Sequence, residues 1–471
     1  MTTSTASSLS HLHPDHVTFS PYWQQMADTL AGESVIKSKG VEYLPMTDGM
    51  LKLPTTLRNE IYETYKSRAV FLNFVEETGE SILGMMDRKP AHIVLPPKLE
   101  PYLSQMTTDG LGIRELLKLV NRHQIYKGRV GLLPDIAEGG KIPFVSVFSA
   151  EAILNWASEY INGEEVLSFV ALDQSGPALV DGVWEDVEEY LVLLMKDGVY
   201  CQYTCNDTGH ITPNPPEGTD LTLPSIAGKT LNFIPFVFAN ARDNTTDVLK
   251  PPLMEISNIS LAAYRQDADY RSALYFAGQP TLTAVGVRKD EVENAVIGSQ
   301  SLLFSENKDA KFGYAETSGN SLSASKQALD DLKAEANKRS VALMEQGVES
   351  GAALEQRSAS KTANINTIVT AGKRAIEKLL ECICVWSGID GSEIVIEPNT
   401  DFIHDNLTAA DLVSLMTAKN LGAPIALESV HAWMKDRKYT DLDFETEKEK
   451  IGEELLDFAP RPATFTATGE E

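Results

Sequence analysis

Apolar residues in the first 127 positions recur every three to four residues, a spacing that predicts helices. One amphipathic helix is predicted from Leu57 to Phe74, and another over residues 108–127, where Gly128 ends it. A further short helix is expected over residues 151–156. Residues 1–20 are rich in Ser, Thr and His and lack this spacing. We therefore expect them to form a flexible N-terminal arm.

The hydrophobic period changes to two between Glu164 and Ala239, which predicts strands. Val166–Leu172, Tyr190–Met195 and Val199–Cys205 are rich in β-branched and aromatic residues. The Lys-Asp-Gly tripeptide at 196–198 predicts a hairpin turn between the last two strands. Phe233–Ala239 is a further predicted strand, and its proline favours a sheet edge. The first half of the chain therefore belongs to the α+β class.

Three long helices are predicted after Asp247. The first covers Leu253–Ala277, with proline before it and Gly-Gln-Pro after it. A second helix of matching length covers Leu322–Gln346, and short strand-like segments lie between the two. Gly347–Ser358 is predicted to break the helical pattern before the third long helix, Ala359–Trp386. A strand at 393–397 and a short helical tail complete the prediction.

The charge balance excludes a protein that coats nucleic acid. The 471 residues include 67 acidic and 41 basic side chains, which gives a formal net charge of −26. Such a protein cannot bind DNA by neutralising its phosphates over a broad surface. The chain is 43% hydrophobic, enough for a full core, and it has no apolar run of the roughly 20 residues that a membrane span requires.

Two sequences resemble parts of a phosphate-binding loop, and both are incomplete. Ala227–Thr230 and Gly372-Lys373 lack the first glycine of the motif. We interpret them as a turn before a strand and as a glycine within a helix. No metalloprotease or serine-hydrolase motif is present in the sequence either. We therefore predict no enzymatic activity and no cofactor.

The residues that could bind a metal ion also favour a structural interpretation. His11, His13 and His16 lie close together, but without an evident supporting shell. The four cysteines form two close pairs without zinc-type spacing, so we expect reduced thiols and no metal.

The order of segments resembles the portal protein of tailed bacteriophages. An α+β region precedes a long helix, a small β-containing excursion, a second long helix, a glycine-rich break and a third long helix. Several local sequences are similar to one subfamily of phage portal-like proteins: Val41–Pro45, Lys89-Pro90, Ile142–Phe144, Ile153–Trp156, Tyr264–Arg271, Gly278–Pro280 and Glu355–Ala359. The resemblance covers roughly residues 20–435.

This resemblance implies a portal fold: an α+β wing, paired stem helices, a small α/β clip, a tunnel loop and a short helical crown. Its parts would be the arm (1–20), the wing (21–250), stem helix 1 (251–280), the clip (281–320), stem helix 2 (321–347), the tunnel loop (348–358), the long wing helix and strand (359–407) and the crown (408–471).

The function implied by the resemblance is a ring of twelve, or sometimes thirteen, copies at one capsid vertex of the virion. Double-stranded DNA would pass through this ring during genome packaging and ejection. The partners would be the terminase large subunit, which supplies the energy, the head–tail adaptor, and the major capsid and scaffold proteins. The ring would assemble in the host cytoplasm, with no membrane and no cofactor involved.

The same resemblance suggests site residues. DNA would face the tunnel-loop residues Glu349, Ser350, Gln356 and Arg357. The clip would contact DNA or partners through Arg288, Lys289, Lys308 and Lys311. The alternative for the first group is an exposed connection between helices, and for the second group it is a plain solvated surface. We also expect excess carboxylates on the stem helices to form an acidic channel wall.

Two other functions remain open from the sequence. Another phage head or tail component would form shells or tubes instead of a channel. An acidic soluble enzyme would need a pocket with perturbed titratable groups.

Overall fold

The protein is described here by a computed structural model. It describes residues 11–137, 140, 142–161, 163–215, 217–278, 281–287, 307–315, 319–344, 351–400, 402, 413, 416–419, 421–424, 426–436 and 439–457. The chain divides into two compact units, Met1–Phe402 and Ile403–Glu471.

The first part of the larger unit is helical, as predicted. Its helices are α1 Pro14–Ala31, α2 Glu33–Lys39, α3 Asp48–Leu51, α4 Thr55–Arg68 and α5 Phe74–Met86. Helix α1 begins at Pro14, so residues 14–20 are not part of a flexible arm. The side chain of His13 accepts a hydrogen bond from the Asp15 backbone and caps the helix. Trp23 and His16 are buried, which fixes α1 against the rest of the unit.

The predicted helix from Leu57 to Phe74 is interrupted. Ala69 adopts an extended conformation, and α5 starts only at Phe74. Next come β1 His92–Val94 and helix α6 Ile113–Lys127, which ends at Gly128 as predicted. Gly128 has a φ of 81°, the left-handed conformation that glycine adopts without strain.

The strands form separate small antiparallel sheets. After β1, the strands are β2 Arg129–Asp135, β3 Phe144–Ser149, β4 Ile153–Ile161, β5 Glu164–Asp173, β6 Gly176–Val180, β7 Val183–Val187, β8 Tyr190–Lys196, β9 Val199–Cys205 and β10 Val237–Asn240. Strands β10, β2 and β3 form one sheet in that order, with β10 at its edge, and β4, β5, β8 and β9 form another. The predicted turn between β8 and β9 is present, because Asp197 and Gly198 both have positive φ values.

The short helix predicted over residues 151–156 is wrong, because this segment enters strand β4. Ile153 to Ile161 pair with β5, and Leu154 and Trp156 are buried on the sheet. Alternation of buried side chains against a neighbouring strand outweighs the local pattern here. The core around this sheet also includes Trp386 from the third long helix.

The long helices appear where the sequence predicts them. They are α7 Met254–Ala277, α8 Gly319–Met344 and α9 Gly351–Ser387, with strands β11 Thr281–Val285 and β12 Lys311–Ala315 between the first two. Helix α9 begins at Gly351, so residues 351–358 of the predicted loop are helical. They include alanine, leucine, glutamate, glutamine and arginine, which are strong helix formers. The remainder of that loop, residues 347–350, lies outside the described residues.

Helix α9 forms the centre of the largest core. Its buried side chains include Ile376, Leu379 and Ile383, which pack with Leu117 and Val120 of α6. Strand β13 Val395–Glu397 follows and pairs with β1. None of the described helices combines the length and apolarity needed to cross a bilayer.

The smaller unit includes α10 Leu427–Asp436 and α11 Phe444–Asp457. An apolar groove of about 410 Å³ lies between them and is lined by Val430, Met434, Phe444 and Ile451. The helix predicted over residues 408–419 lies mostly outside the described residues.

Candidate functional site: the paired-helix arm

The sequence from α7 through the β11–β12 hairpin to α8 forms one structural element, which we call the paired-helix arm. Helix α7 has 24 residues and α8 has 26, so they are about 36 and 39 Å long. The matching lengths predicted from the sequence are therefore present. The two helices pack against each other, and the hairpin connects their outer ends.

Two polar contacts show that α7 and α8 run antiparallel. The side-chain amide of Gln266 donates to the Ser325 hydroxyl at 2.9 Å. Eleven residues earlier in α7, Glu255 lies 3.6 Å from Arg339, which is fourteen residues later in α8. The helices therefore stay side by side from the body of the protein to the hairpin.

Helix α7 is held in the N-terminal helical region by contacts that extend as far as Asp269. Asp267 accepts hydrogen bonds from the Val70 backbone and the Arg271 guanidinium, both at 2.7 Å. Asp269 accepts one from the Tyr65 hydroxyl at 2.6 Å. Burial, together with this bond, raises the pKa of Tyr65 far above its usual range. Such contacts fix the direction in which the arm leaves the body.

After Ala268 the side chains of α7 are exposed or half-buried, although α4 still contacts this part of the helix. Leu274 is 48% and Phe276 is 64% exposed. The Arg68 guanidinium stacks over Tyr275 at 3.6 Å from the ring centroid. Exposed apolar residues grouped in this way are typical of a surface that another molecule covers.

The β11–β12 hairpin forms the outer end of the arm. Thr281 pairs with Ala315 and Val285 with Lys311 across it. The Thr283 hydroxyl donates to the Gly313 carbonyl at 3.1 Å, and the Asn307 amide donates to the Gly286 carbonyl at 2.7 Å. These bonds give the described part of the hairpin a defined shape.

The site residues implied by the resemblance are only partly within the described structure. Lys308 and Lys311 are exposed on the hairpin. Gln356 and Arg357 lie in the first turns of α9, although the structure does not describe their side chains. The other four suggested residues, Arg288, Lys289, Glu349 and Ser350, lie outside the described residues. Their roles all stay predictions.

The paired helices do not carry the acidic excess that we expected of a channel wall. Together α7 and α8 contain six basic and six acidic side chains. The excess lies elsewhere, because residues 151–250, which include the four-stranded sheet, contain sixteen acidic and four basic side chains. The expectation of an acidic wall built by these two helices is therefore wrong.

The N-terminal histidines serve packing. The His13 ring stacks on Trp156 with 3.8 Å between centroids, and His16 Nδ1 lies 3.0 Å from the Ile153 carbonyl oxygen. Burial lowers the pKa of both histidines.

Arg129 is fully buried beside the same sheet. The ring centroids of Trp156 and Phe238 lie within 4.7 Å of its guanidinium carbon. These contacts attach α1 to the sheet region, and no cluster suited to a metal ion occurs among the described residues.

The cysteines and the two loop-like sequences are also structural. All four cysteines are free, and burial raises the pKa of Cys382 to about 12. Ala227 and Gly228 form a tight turn with positive φ values, next to Lys229, whose carbonyl accepts from the Trp386 indole at 3.1 Å. Gly372 lies in α9, where it faces α6. This agrees with the interpretation of both sequences as a turn and a mid-helix glycine.

Sequence reasoning missed one exposed feature, the β6–β7 hairpin. Its strands pair only with each other, and Leu179 and Trp184 are 60% and 70% exposed. The signal was present, because Asp181-Gly182 is flanked by apolar residues, a strong hairpin pattern.

One family and several solved structures are similar to this chain. Residues 252–387 match the family described as "Domain of unknown function (DUF4055)". This match covers the paired-helix arm and α9, less than a third of the chain. No curated protein matches the chain.

Among solved structures, a chain in the neck of an empty GTA particle computed with C6 symmetry is 12% identical, with a TM-score of 0.37. The alignment covers 76% of this chain and 89% of that chain. A chain in the virion of the native gene transfer agent particle is 12% identical with a TM-score of 0.38, and one in the native neck computed with C12 symmetry is 10% identical with the same score. Each of these two alignments covers 77% of this chain and 89% of the other. Likeness at this level carries no argument about function, which must come from the chain's own geometry.

Proposed function

We propose that this protein is the subunit of a ring-shaped DNA channel, a phage portal protein at one capsid vertex. The observation that carries the proposal is the paired-helix arm: two antiparallel helices of nearly equal length, fixed in the body at one end and joined by a hairpin at the other. Elements of this shape, placed side by side around an axis, form the wall of a tube. The order of elements before and after the arm also resembles that family.

The dimensions suit duplex DNA. Packed helices lie about 8–10 Å apart. Twelve copies that each place one helix at the wall would give a circumference of about 120 Å and a diameter of about 38 Å between helix axes. Subtracting helices of about 10–12 Å diameter leaves an opening of about 27 Å. A B-form duplex passes through such an opening without melting.

The charge of the arm suits passage better than binding. A wall with equal numbers of basic and acidic groups releases few counterions when DNA enters, so it does not hold the duplex tightly. Brief contacts would come from individual cations, and we propose Arg357 with Gln356, Glu349 and Ser350 as the residues that face DNA.

Partners would dock at the outer end of the arm. Lys308 and Lys311 are exposed there, and Arg288 and Lys289 belong to the same segment of the sequence. We propose this end as the contact for the terminase large subunit during packaging and for the head–tail adaptor afterwards. The energy for DNA movement would come from the terminase, because this chain has no complete phosphate-binding loop.

Imaging of the purified protein tests the proposal. We expect electron micrographs to show closed rings with about twelve subunits and an open centre. Shells or tubes would instead favour another head or tail component. A protein that stays monomeric at all concentrations would contradict the proposal and favour a soluble enzyme.

A deletion tests the DNA-facing residues separately from assembly. Removing Glu349–Glu355 should leave the rings intact and reduce DNA packaging or retention. Substituting Lys308 and Lys311 by alanine serves as the matched variant, because it should weaken terminase docking instead. Loss of the ring in the deletion variant would show that this segment belongs to the assembly contacts.

A further inference from the structure

Strand β4 is an edge strand of the four-stranded sheet, and its outer side is largely uncovered. The strand is nine residues long and contains no lysine or proline, with the sequence ILNWASEYI. Tyr160 and Ile161 at its outer end are 80% and 51% exposed. Native proteins usually cover a long edge without such protective residues, because it pairs readily with other chains.

The outer edges of β9 and β3 are covered by nearby parts of the chain. Thr222 exchanges two backbone hydrogen bonds with Gln202 of β9, at 2.8 and 2.9 Å. The Val145 N–H of β3 donates to the Met106 carbonyl at 2.9 Å. On the free side of β4, one backbone hydrogen bond occurs among the described residues, at the inner end of the strand. The rest of this edge has no described partner.

That single bond comes from the segment before helix α1, which enters along the free side of β4. The His13 N–H donates to the Leu154 carbonyl at 3.0 Å. One step further out, the Asn155 side-chain amide links the two segments. Its oxygen accepts from the Trp156 N–H and its nitrogen donates to the His11 carbonyl, both at 2.9 Å. His13 therefore lies beside Leu154 and His11 beside Trp156, so the two segments run antiparallel.

These contacts identify the backbone groups of β4 that face outwards. The Leu154 carbonyl and the Trp156 N–H both face the N-terminal segment. Beyond them, the bulge in the pairing with β5 lies at Ser168 of β5, so β4 itself alternates regularly. The backbone groups of alternate residues point to the same side of a strand. Those of Ser158 and Tyr160 therefore face the same free edge.

The residues that precede His11 suit this edge. Residues 1–10 lie outside the described residues, and residues 2–10 have the sequence TTSTASSLS. This sequence contains no charged residue, glycine or proline, and its three β-branched threonines favour a strand. Extended, residues 6–10 span about 17 Å, the length of residues 157–161 of β4. Because the segment is joined to His11, it reaches the edge at a high effective concentration.

We propose that residues 6–10 add to β4 of the same chain as an antiparallel fifth strand and cover its free edge as far as Ile161. The chain is already docked where this edge begins, and His13 is extended, with φ −63° and ψ 139°. The segment therefore needs no turn to continue along β4. The added strand closes this side of the sheet to pairing with other chains. This inference goes beyond the proposed function, because a single chain supplies both strands.

An introduced disulfide tests the register. Continuing the alignment of His13 with Leu154 places Ser8 opposite Glu159, where Cα atoms are about 4.5–5.5 Å apart and a disulfide can form. A chain with Ser8→Cys and Glu159→Cys, oxidised with diamide, should form this bond within one chain, as measured by peptide mass mapping. Ser8→Cys with Ser158→Cys is the matched control, because adjacent residues of a strand face opposite sides of the sheet. It should give at least tenfold less of the bond.

Proline substitutions test the hydrogen bonds of the added strand. In the same register the Ser7 N–H donates to the Tyr160 carbonyl, whereas the Ser8 N–H faces away from β4. Proline is tolerated in a strand only where its missing N–H faces away from the sheet. In hydrogen exchange measured by mass spectrometry, the Ser158 and Tyr160 amides should be protected in the unaltered chain and in Ser8→Pro. In Ser7→Pro the Tyr160 amide should exchange at least tenfold faster.

Several results would overturn the added strand. Equal disulfide yields in the two cysteine variants would show that the segment has no fixed register. A disulfide that forms only between chains would show that a second copy supplies the strand. Rapid exchange of both amides in the unaltered chain would show that the edge is free. Any of these results leaves the proposed channel function standing, whereas a monomeric chain with the expected disulfide would overturn the channel and support the added strand.

Discussion

Two pairs of long helices in this protein bury very different surfaces. Helices α6 and α9 meet through side chains that are almost fully buried, such as Leu117, Ile376 and Leu379. Helices α7 and α8 share polar contacts such as Gln266 with Ser325, and Leu329 and Ala336 are the buried apolar residues in the described part of α8. The first pair stabilises the fold, whereas α8 and the last turns of α7 leave most of their described surface exposed.

The same contrast appears in the charges. The α7–α8 pair is neutral, while residues 151–250 carry much of the acidic excess of the chain. The net charge of a protein therefore says little about any one surface of it. A channel built from the arm would be lined by mixed charge. The acidic groups of residues 151–250 would line it only if the strands of that region also faced the channel.

The largest expected effect on stability is at the buried contact between α6 and α9. Leu379→Ala should lower the free energy of unfolding by about 2–5 kcal/mol, because it removes a fully buried side chain and leaves a cavity. Leu274→Ala in the arm should change it by no more than about 0.5 kcal/mol, because that residue is exposed. Urea unfolding of both variants measures the difference. Equal losses would break the distinction between the two helix pairs.

The next effect concerns the close approach of α9 to α6. A Cβ atom at Gly372 would lie 2.7 Å from Asn121 Oδ1, so Gly372→Ala should cost about 1–3 kcal/mol. Gly84 in α5 has no atom within 4 Å of such a Cβ, so Gly84→Ala should be neutral or stabilise the helix by about 0.5–1 kcal/mol. Thermal unfolding of the two variants makes the comparison, and a stabilising Gly372→Ala would show that the helices are not packed closely there.

A smaller effect on stability is expected when the pH is lowered. Burial lowers the pKa of His123 in α6 from 6.5 to about 4, against the opposing influence of Glu151. The unfolded chain therefore takes up the proton more readily, so stability is complete above pH 6.5 and falls as the pH decreases towards 4. Between pH 7 and pH 5 we expect a loss of about 1–2 kcal/mol from this group.

The arm should not share this dependence, because residues 254–344 contain no histidine. Hydrogen exchange at pH 5 and pH 7 would compare the two regions in one experiment. His123→Gln should reduce the pH dependence of global unfolding. If the pH dependence of unfolding is unchanged in His123→Gln, His13 and His16 dominate that dependence. Burial lowers their pKa values as well.

The smallest effect is expected at the surface of the arm. Arg339 lies 3.6 Å from Glu255 and 2.7 Å from Glu335, but all three side chains are exposed to solvent. Arg339→Gln should therefore cost less than about 1 kcal/mol, and less still at high salt. Unfolding at two salt concentrations measures it, and a loss comparable to that of Leu379→Ala would mean that the arm depends on this ion pair.

Local signals in the sequence predicted most elements of the fold. The proline before α7 and the Gly-Gln-Pro after it located the first long helix to within one residue. The Asp-Gly turn between β8 and β9 was equally clear. These features depend on backbone preferences of neighbouring residues, which act over short distances and are visible in any stretch of sequence.

In two of the wrong predictions, a distant contact decided the structure. Residues 153–156 form a strand because β5 pairs with them, and residues 14–20 are ordered because Trp23 and His16 find a buried site. The helical start of α9 at Gly351 reflects good helix formers that the two glycines obscured.

The sequence by itself determined the α+β class, the three long helices and their order, because hydrophobic period and helix-terminating residues act locally. Only the tertiary structure decided which helices are buried and which are exposed, how the charges are distributed over the surface, and that an apolar hairpin and an apolar groove are both left uncovered. The reason is physical: burial and net local charge depend on residues far apart in the chain, and folding alone brings them together.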